Sequence, residues 1–483
     1  MKRLVSTTLI TFLVIMGLSP PVMAEMATMD DAQAVAKNWI TLIIEKKGGW
    51  GGSETAEVAE IQEFKRDEQV IGYFCHVEPQ GFIVISLYKQ LAPVKAYSAT
   101  CDLDPESEKG MADLIKGGMG RILDQIEVKI GKIDLASIES LEDTFEINYQ
   151  RSWEELESDA IITMNYQEGE VLLSSRWHQG PPYNEHCPDL GCTDPANGRA
   201  VVGCVATASS QIMRYWNWPP YGVDAPYSDH YDWPNMLDRV TTLSTSEQIN
   251  AVAELCREVG IAEDMHYGCD ESWTQYYEVD DALEDHFRYS TNCNWRDRDD
   301  YSAVEWFNIM KSDLNANRPV QYRVEDHQIV ADGWQEIGSP VIRQYHMNYG
   351  WGWTGTFPDG NNTWYTLDAL HLGHYYKEKM LVDIFPAQAL YGSLSGTYAR
   401  QSFPYRYFDR DATGDSATFE AGQNLQFLPD ITVTCTSATG NSIRFEGSSS
   451  QNTRLFTRGD RTKGIRIYDG SVKLNRYGSI QFE

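Results

Sequence analysis

The sequence is poor in basic residues and in long apolar runs. Its 483 residues include 40 Lys and Arg against 70 Asp and Glu, a formal net charge of −30. A surface this negative repels phosphate backbones and anionic lipid headgroups, so neither nucleic acid nor a membrane surface is an expected partner. After residue 24, no apolar run approaches the roughly twenty residues of a membrane-spanning helix. Nucleic-acid-binding and membrane-embedded proteins are therefore disfavoured.

The rest of the composition is that of an ordinary globular protein. Hydrophobic residues make up 42% of the chain, charged residues 23% and aromatic residues 12%. These values argue against wholesale disorder. At about 150 residues per domain, the length predicts about three folded units.

The first 24 residues have the pattern of a secretory signal peptide. Lys2 and Arg3 form a positive start, residues 9–18 form the centre of an apolar run, and Ala24 offers a small residue for cleavage. A membrane anchor is the alternative, but the run is short and a Pro-Pro pair ends it. We expect a signal peptide over residues 1–24 and a secreted mature protein, extracellular or held in the periplasm or at the cell surface.

Nine cysteines are present, an odd number. Thiols outside the cytosol tend to pair, so disulfide bonds are expected and at least one thiol is left over. Cys187 and Cys192 are close enough in sequence to close a small loop, and the other pairings stay open. A zinc site that combines them with His178 or His186 is the alternative. It lacks a second ligand pair at finger-like spacing, so we expect no metal.

Residues 25–160 have the pattern of a small α+β domain. The periodicity predicts a helix that begins at Thr28 or Asp30 and ends at Gly48, strands at 70–77 and 82–87, and a helix through 111–122. An acidic stretch at 154–159 follows and is expected to be an exposed linker. The unit has no catalytic constellation of its own.

Residues 161–388 and residues 389–483 have different residue patterns. In the first segment, predicted helices precede predicted strands, as in an α+β fold. In the second, short apolar runs are broken by Gly, Ser and Asn, which predicts a small all-β module, either a sandwich or a solenoid.

One stretch of the C-terminal segment has the spacing of a calcium-binding loop. Asp409, Asp411 and Glu420 match that spacing, but Thr413 departs from it. The flanks have the pattern of strands rather than helices. A solvated β-turn with incidental carboxylates is therefore the favoured interpretation.

Cys204 stands where a nucleophile is expected. The apolar periodicity from Val205 to Trp216 predicts a buried helix whose first turn contains Cys204. Free backbone N–H groups and the positive end of the helix dipole favour a thiolate there. A cysteine nucleophile needs that ionised form. A buried structural cysteine or a disulfide partner is the alternative.

A base candidate follows in a later strand. Residues 320–324 have the pattern of a strand, and His327 opens a second one, which is a rigid way to hold an imidazole at a cleft wall. A third strand leads into Asn348-Tyr349-Gly350-Trp351-Gly352-Trp353. The Asn348 side chain could hold the second imidazole nitrogen, and the Trp351 indole could shield that hydrogen bond.

These segments resemble the streptopain family of secreted bacterial cysteine peptidases. The most specific match is the block at 203–219, and the others are at 177–184, 265–268 and 346–352. Residues 81–86 and 92–98 resemble the inhibitory prosegment of that family. The similarity runs from residue 25 to about residue 385, and the C-terminal segment lies outside it.

The resemblance implies a papain-like, two-lobed peptidase domain over 161–388, an inhibitory prodomain over 25–160 and a β-rich appendage over 389–483. It implies Cys204 as nucleophile, His327 as general base and Gln179 as half of an oxyanion hole, with the Cys204 N–H as the other half. Asn348 is the implied third catalytic residue. Tyr349 and Trp353 depart from the usual Asn-Trp-Gly-Trp-Gly-Gly, so the cleft floor is expected to differ.

The resemblance also places the substrate groove. Trp351, Ser272 and Asp326 are expected to contact the substrate. The family commonly has small Gly and Ser residues around Ser272, whereas this chain has Asp270 and Glu271 there. A different side-chain preference is therefore expected.

The function expected from the sequence is that of a latent, secreted cysteine endopeptidase. It would hydrolyse proteins or peptides through an acyl-enzyme, without a cofactor and with its own prodomain as intramolecular inhibitor. An amidase or acyltransferase with the same Cys–His pair is one alternative, and a catalytically idle adhesin or inhibitor is the other. The joint presence of Cys204, His327 and Gln179 argues against the idle protein.

Overall fold

The computed structural model describes residues 25–130, 144–158 and 164–386, except 196, 220, 291, 325–326, 352–361 and 369–377, and most of the strands that follow. The expected signal peptide and Asp326 lie outside the described residues. Within the described part, no helix is both long and apolar enough to cross a bilayer.

The N-terminal region begins with the predicted helix, α1 (Met29–Lys47). The Thr28 side chain accepts a hydrogen bond from the Asp31 N–H, and Gly48 ends the helix in the left-handed conformation with φ 80°. These are the cap residue types that helix ends favour. The helix boundaries confirm the prediction.

An antiparallel sheet follows α1. Its strands are β1 (Glu57–Arg66), β2 (Gln69–Glu78), β3 (Phe82–Ser86) and β4 (Val94–Ser98). Helix α2 (Gly110–Ile130) packs against β1 and β2. All residues of β3 and β4 are buried, so both faces of this part of the sheet are covered.

The prediction of an exposed linker at 154–159 is wrong for most of the stretch. Residues 150–157 form helix α3 (Gln150–Glu157), which packs on α1. Trp153 is fully buried, and its indole N–H donates to the Leu91 carbonyl at 2.9 Å. Two of the acidic residues lie between Trp153 and Leu156, which are three residues apart and form the buried face of the helix. The high acidic content of the stretch obscured this short amphipathic pattern.

The central region combines helices with strands of one large sheet and with a separate two-stranded sheet. Its elements are α4 (Cys204–Trp216), α5 (Ser246–Ala262), α6 (Glu278–Asp285), α7 (Ala303–Asn315), β5 (Tyr166–Glu168), β6 (Asp189–Cys192), β7 (Gly198–Arg199), β8 (Asn294–Asp297), β9 (Val320–Val324), β10 (His327–Ile337), β11 (Ile342–Asn348), β12 (Thr363–Thr366) and β13 (Lys379–Val382). Helices α4 and α7 pack against β9 and β10, the strands at the middle of the region.

The N-terminal and central strands form one continuous antiparallel sheet. Its order is β1-β2-β3-β4-β12-β11-β10-β9-β13-β8, with β5 beside β10. The junction pairs Tyr97 of β4 with Trp364 of β12. Beside it, Lys95 is buried and forms an ion pair with Asp368. Residues 25–158 therefore dock by extending the sheet of the central region.

The C-terminal strands form a solenoid rather than a sandwich. They are β14 (Ala389–Tyr398), β15 (Tyr405–Phe419), β16 (Asn424–Phe427), β17 (Val433–Cys435), β18 (Ile443–Phe445), β19 (Arg454–Thr457), β20 (Arg466–Ile467) and β21 (Val472–Leu474). All their pairings are parallel: β15 pairs with β14 and with β16, β17 and β18, which pair in turn with β19, β20 and β21. Stacked parallel turns of this kind define a solenoid.

The solvated turn predicted around Asp409 and Asp411 is also wrong. Both residues lie within β15, and Glu420 follows its end. Phe408, Ala412 and other apolar residues of the strand are buried in the solenoid. Their burial holds the acidic stretch extended.

Candidate active site

Cys204 is the first residue of α4, as its sequence context predicts. The preceding Gly203 has φ 94°, a conformation that side-chain-bearing residues rarely adopt. A Cβ atom at Gly203 would lie 2.9 Å from Met265 Sδ and 3.0 Å from the Ser272 carbonyl oxygen. Glycine is thus required for the chain to enter the helix at this point.

The Cys204 thiol lies between the helix start and strand β10. The backbone N–H groups of Gln328, Val205 and Cys204 itself lie near the sulfur, and each lowers the pKa of the thiol. Burial acts in the opposite direction and is the largest cause, so the pKa of the thiol is raised above its ordinary value. The net direction is opposite to the one expected from the helix start alone.

His327 is the first residue of β10, again as predicted. Its Nε2–H donates to the Tyr349 carbonyl oxygen at 2.8 Å. The Trp351 ring stacks on the imidazole with centroids 4.2 Å apart and planes 16° apart. Burial lowers the pKa of His327 to about 4, so the ring is neutral near pH 7. With Nε2 carrying the proton, Nδ1 is left as the basic nitrogen.

Asn348 does not hold the imidazole in this structure, which corrects the expected hydrogen bond. Its Nδ2 donates to the Ser175 carbonyl at 2.9 Å and to Gln211 Oε1 at 3.0 Å. Its Oδ1 accepts from the Gly350 N–H at 3.1 Å. The side chain faces α4, and the carbonyl of the next residue contacts the histidine instead. Asn348 therefore fixes the turn that carries Tyr349 and Trp351.

Gln179 lies beside the segment that leads to the nucleophile. Its carbonyl oxygen accepts a hydrogen bond from the Val202 N–H at 2.9 Å. The neighbouring His178 forms an isolated β-bridge with Trp351. The backbone at 178–179 thus contacts both the segment before Cys204 and the turn that carries Trp351. The Gln179 side chain is partly exposed.

Ser272 lies near the nucleophile, but its hydroxyl is used internally. The hydroxyl donates to the Val201 carbonyl at 2.7 Å and accepts from the Gly268 N–H at 3.1 Å. The side chain is buried, which does not fit the expected substrate contact through this group. Asp270 and Glu271 in the same turn are exposed.

A disulfide bond joins this turn to the β6–β7 hairpin. Cys269 is bonded to Cys192, and Cys187 is a free, buried thiol. The small loop expected from Cys187 and Cys192 is therefore absent. The zinc alternative fails for the same reason, since a disulfide sulfur is no longer a thiolate ligand.

The Tyr349 carbonyl is the functional group that sequence reasoning missed. A backbone carbonyl leaves no mark in residue type, and the neighbouring Asn348 offered a more obvious partner. Only the turn geometry after β11 shows which oxygen faces the imidazole.

Comparisons with known proteins show that the chain is similar to cysteine peptidases. Residues 177–360 match the model of the Peptidase C10 family. The chain is 25% identical over 410 residues to streptopain of Streptococcus pyogenes serotype M28, which covers 77% of this chain and 93% of that protein. It is 26% identical over 357 residues to the thiol protease/hemagglutinin PrtT of Porphyromonas gingivalis, covering 69% of this chain and 38% of that one.

A solved structure shares the fold. A fragment of prointerpain A from Prevotella intermedia superposes with a TM-score of 0.50 at 22% identity, covering 68% of this chain and 98% of the fragment. The likeness supports a mixed α+β architecture for the N-terminal and central regions together.

Proposed function

We infer that this chain, a cysteine-type peptidase whose residues 177–360 belong to the Peptidase C10 family, is a secreted endopeptidase made as a latent precursor. The observation that carries the catalytic assignment is the hydrogen bond from His327 Nε2–H to the Tyr349 carbonyl. In the imidazole that burial keeps neutral, this hydrogen bond leaves Nδ1 as the base. The next residue of the strand, Gln328, has its backbone N–H near the Cys204 sulfur.

The proposed reaction passes through an acyl-enzyme. His327 Nδ1 takes the thiol proton while Cys204 Sγ attacks the peptide carbonyl carbon. The oxyanion of the tetrahedral intermediate accepts hydrogen bonds from the Cys204 N–H and the Gln179 side chain. When the C–N bond breaks, His327 returns the proton to the leaving amine. Water, activated by the same imidazole, then hydrolyses the thioester and restores the thiol, so the reaction balances without a cofactor.

The remaining site residues have supporting roles in this proposal. Asn348 positions the turn that carries the imidazole's acceptor. Trp351 stacks on the imidazole and contacts the substrate in this proposal. Asp326, which precedes His327 in the sequence, is proposed as a further substrate contact. Ser272 shapes the groove through the turn that it holds next to Gly203.

Latency is supported by how residues 25–158 are attached. They add four strands to the sheet that contains His327, and Lys95 pairs with Asp368 at the junction. The ammonium of Lys47, the last residue of α1, lies 4.2 Å from the centroid of the Trp364 ring in β12. A tethered domain has an effective concentration of about millimolar, so modest affinity is enough for inhibition.

Secretion is supported by the leader pattern at residues 1–24 and by the disulfide bond. Disulfides persist in oxidising compartments and are rare in the cytosol. Proteins and peptides are the proposed partners, with the N-terminal region as the intramolecular inhibitor.

Casein digestion tests the peptidase against its alternatives. We expect the processed protein to digest casein, and Cys204→Ala and His327→Ala to abolish digestion. An amidase or acyltransferase would act on small amides while leaving casein intact. A catalytically idle adhesin would act on neither, and either result would overturn the proposed function.

A further inference from the structure

A chain of buried polar side chains connects the nucleophile helix to the strands beside it. Ser209 of α4 lies 2.5 Å from Glu263 Oε1 and 3.0 Å from Gln321 Oε1 of β9. Gln321 Nε2 reaches Gln328 Oε1 of β10 at 2.6 Å. The four side chains are at most 4% exposed. Gln328 follows His327, and its backbone N–H contacts the Cys204 sulfur.

The hydrogen-bond directions determine where the protons are. Gln321 Nε2 faces two acceptors, Gln328 Oε1 and the Val205 carbonyl at 3.4 Å, so Gln321 Oε1 is the atom that faces Ser209. The single Ser209 proton goes to that oxygen. The Ser209 oxygen can then only accept from Glu263. The Ser209–Glu263 contact therefore requires a proton on the carboxyl group.

The surroundings of Glu263 also favour the neutral acid. Its Oε2 has no hydrogen-bond partner in the described part of the chain, which would be costly for a buried carboxylate. Among the residues that the structure describes, the titratable groups that interact with it are Cys204 on α4 and Tyr267 after α5, and neither is a cation. On α5, Arg257 stacks on Tyr267 and Glu258 accepts from Tyr231.

We propose that Glu263 is a positioning residue that works only as the neutral acid, donating to Ser209 and so holding the nucleophile helix against the strand of His327. This inference rests on the proposed function for its kinetic consequence. Ionisation turns Glu263 into an acceptor that competes with Gln321 for the single Ser209 proton. It also places a negative charge near Cys204, which opposes formation of the thiolate. Activity therefore falls when Glu263 loses its proton.

Burial raises the pKa of Glu263 to about 8. The folded protein then retains a proton that the unfolded chain releases above its ordinary value of 4.5. Because the folded state binds more protons in this window, stability falls as the pH rises from about 4.5 to about 8. A glutamine at this position has no such fall.

The test compares the wild type with Glu263→Gln and uses Glu258→Gln as a matched control. Glu258 is a second buried acid nearby, with its pKa raised to about 7, but it lies outside this chain of side chains. We measure kcat/KM for a fluorogenic peptide against pH, beginning from the full chain. One pH unit above a pKa of about 8, about one tenth of Glu263 stays protonated, so the wild type should lose about tenfold by pH 9 relative to Glu263→Gln.

Glu258→Gln should keep the wild-type profile. Glu263→Ala should lose activity at every pH, because Ser209 loses its hydrogen-bond partner and the chain from Ser209 through Gln321 to Gln328 is no longer held at that end. The melting temperature of Glu263→Gln should also fall less than that of the wild type between pH 6 and pH 9. Coincident wild-type and Glu263→Gln profiles would overturn the proposal.

Alkylation of Cys204 by iodoacetamide separates this inference from the proposed function, since it needs no peptide hydrolysis. At pH 9, Cys204 should react faster in Glu263→Gln than in the wild type. If this difference holds while no variant cuts a peptide, the proposed function fails and the neutral-acid role of Glu263 is supported. If peptides are cut and neither the profiles nor the alkylation rates differ, the inference about Glu263 fails alone.

Discussion

At the scale of single residues, backbone groups supply much of the site. The imidazole is oriented by the Tyr349 carbonyl, and three backbone N–H groups near the thiol lower its pKa. Side chains such as Asn348 and Ser272 hold the turns that present these groups. Substitutions of such residues therefore act through the positions of their neighbours.

Gln179→Ala tests the proposed oxyanion donor. Loss of one such donor lowers turnover by roughly 10²-fold. The reason is that the donor stabilises the negative oxygen of the tetrahedral intermediate more than it stabilises the neutral carbonyl of the bound substrate. We expect kcat to fall and KM to change little in steady-state assays on a peptide amide. Gln167→Ala, at an exposed position on β5, is the control and should behave as the wild type. A Gln179→Ala enzyme with normal kcat would contradict the assignment.

Trp351→Ala tests the cause of the low pKa of His327. Burial holds that pKa at about 4, and removal of the stacked indole should let it rise towards its ordinary value of 6.5. The acid limb of kcat/KM should then move to higher pH, while Trp351→Phe, which keeps a ring there, should move it less.

The same pKa gives a stability prediction with a definite sign. The unfolded chain binds more protons at His327 between about pH 4 and pH 6.5, so the wild type loses stability as the pH falls through this window. Trp351→Ala should flatten that loss in denaturant titrations. If the acid limb of kcat/KM is the same in Trp351→Ala as in the wild type, burial by the indole is not the cause of the low pKa of His327.

At the scale of elements, local patterns predicted what local forces determine. The cap residues Thr28 and Gly48 predicted the ends of α1, and the apolar periodicity after Cys204 predicted α4. Strand β1 escaped prediction because only Phe64 among its ten residues is buried. Its strand conformation comes from pairing with β2, a contact that the residues of β1 do not encode on their own.

Helix α3 supplies a stability prediction at this scale. Trp153→Ala removes a fully buried indole and its hydrogen bond to Leu91, and should lower the free energy of unfolding by about 3–5 kcal/mol. Glu154→Ala, on the exposed face of the same helix, should change it by about 0.5 kcal/mol or less. Urea denaturation of the Cys204→Ala background measures both, and equal effects would contradict the packing of α3.

At the scale of the whole molecule, the sheet junction and the disulfide bond lay beyond sequence reasoning. Tyr97 and Trp364 pair across more than half the chain, and Cys192 and Cys269 are 77 residues apart. Such contacts depend on the packing of every element between them. The resemblance to a peptidase family located Cys204 and His327, but not the hydrogen bonds that orient them.

The attachment of α3 narrows the expected processing site. Residues 150–157 are helical and packed, so a protease has poor access to their backbone. We expect the active protein to shorten to a new N-terminus beyond residue 158, and the Cys204→Ala protein to stay at the full mature length. N-terminal sequencing and intact mass measure both. An active form that begins between residues 150 and 158 would contradict the packing of α3, because the chain would have been cut within the helix.

The most direct test of the account is to ask which sulfur the activity depends on. Among the free cysteines whose burial the structure describes, Cys204 is the one that is partly exposed to solvent. It should therefore react first with iodoacetamide, although burial of its sulfur raises its pKa. Peptide mapping by mass spectrometry, run alongside casein digestion, follows both quantities in one sample. The account predicts that activity falls in proportion to the modified fraction of Cys204. Full activity with Cys204 completely alkylated, or loss of activity with Cys204 unmodified, would contradict it.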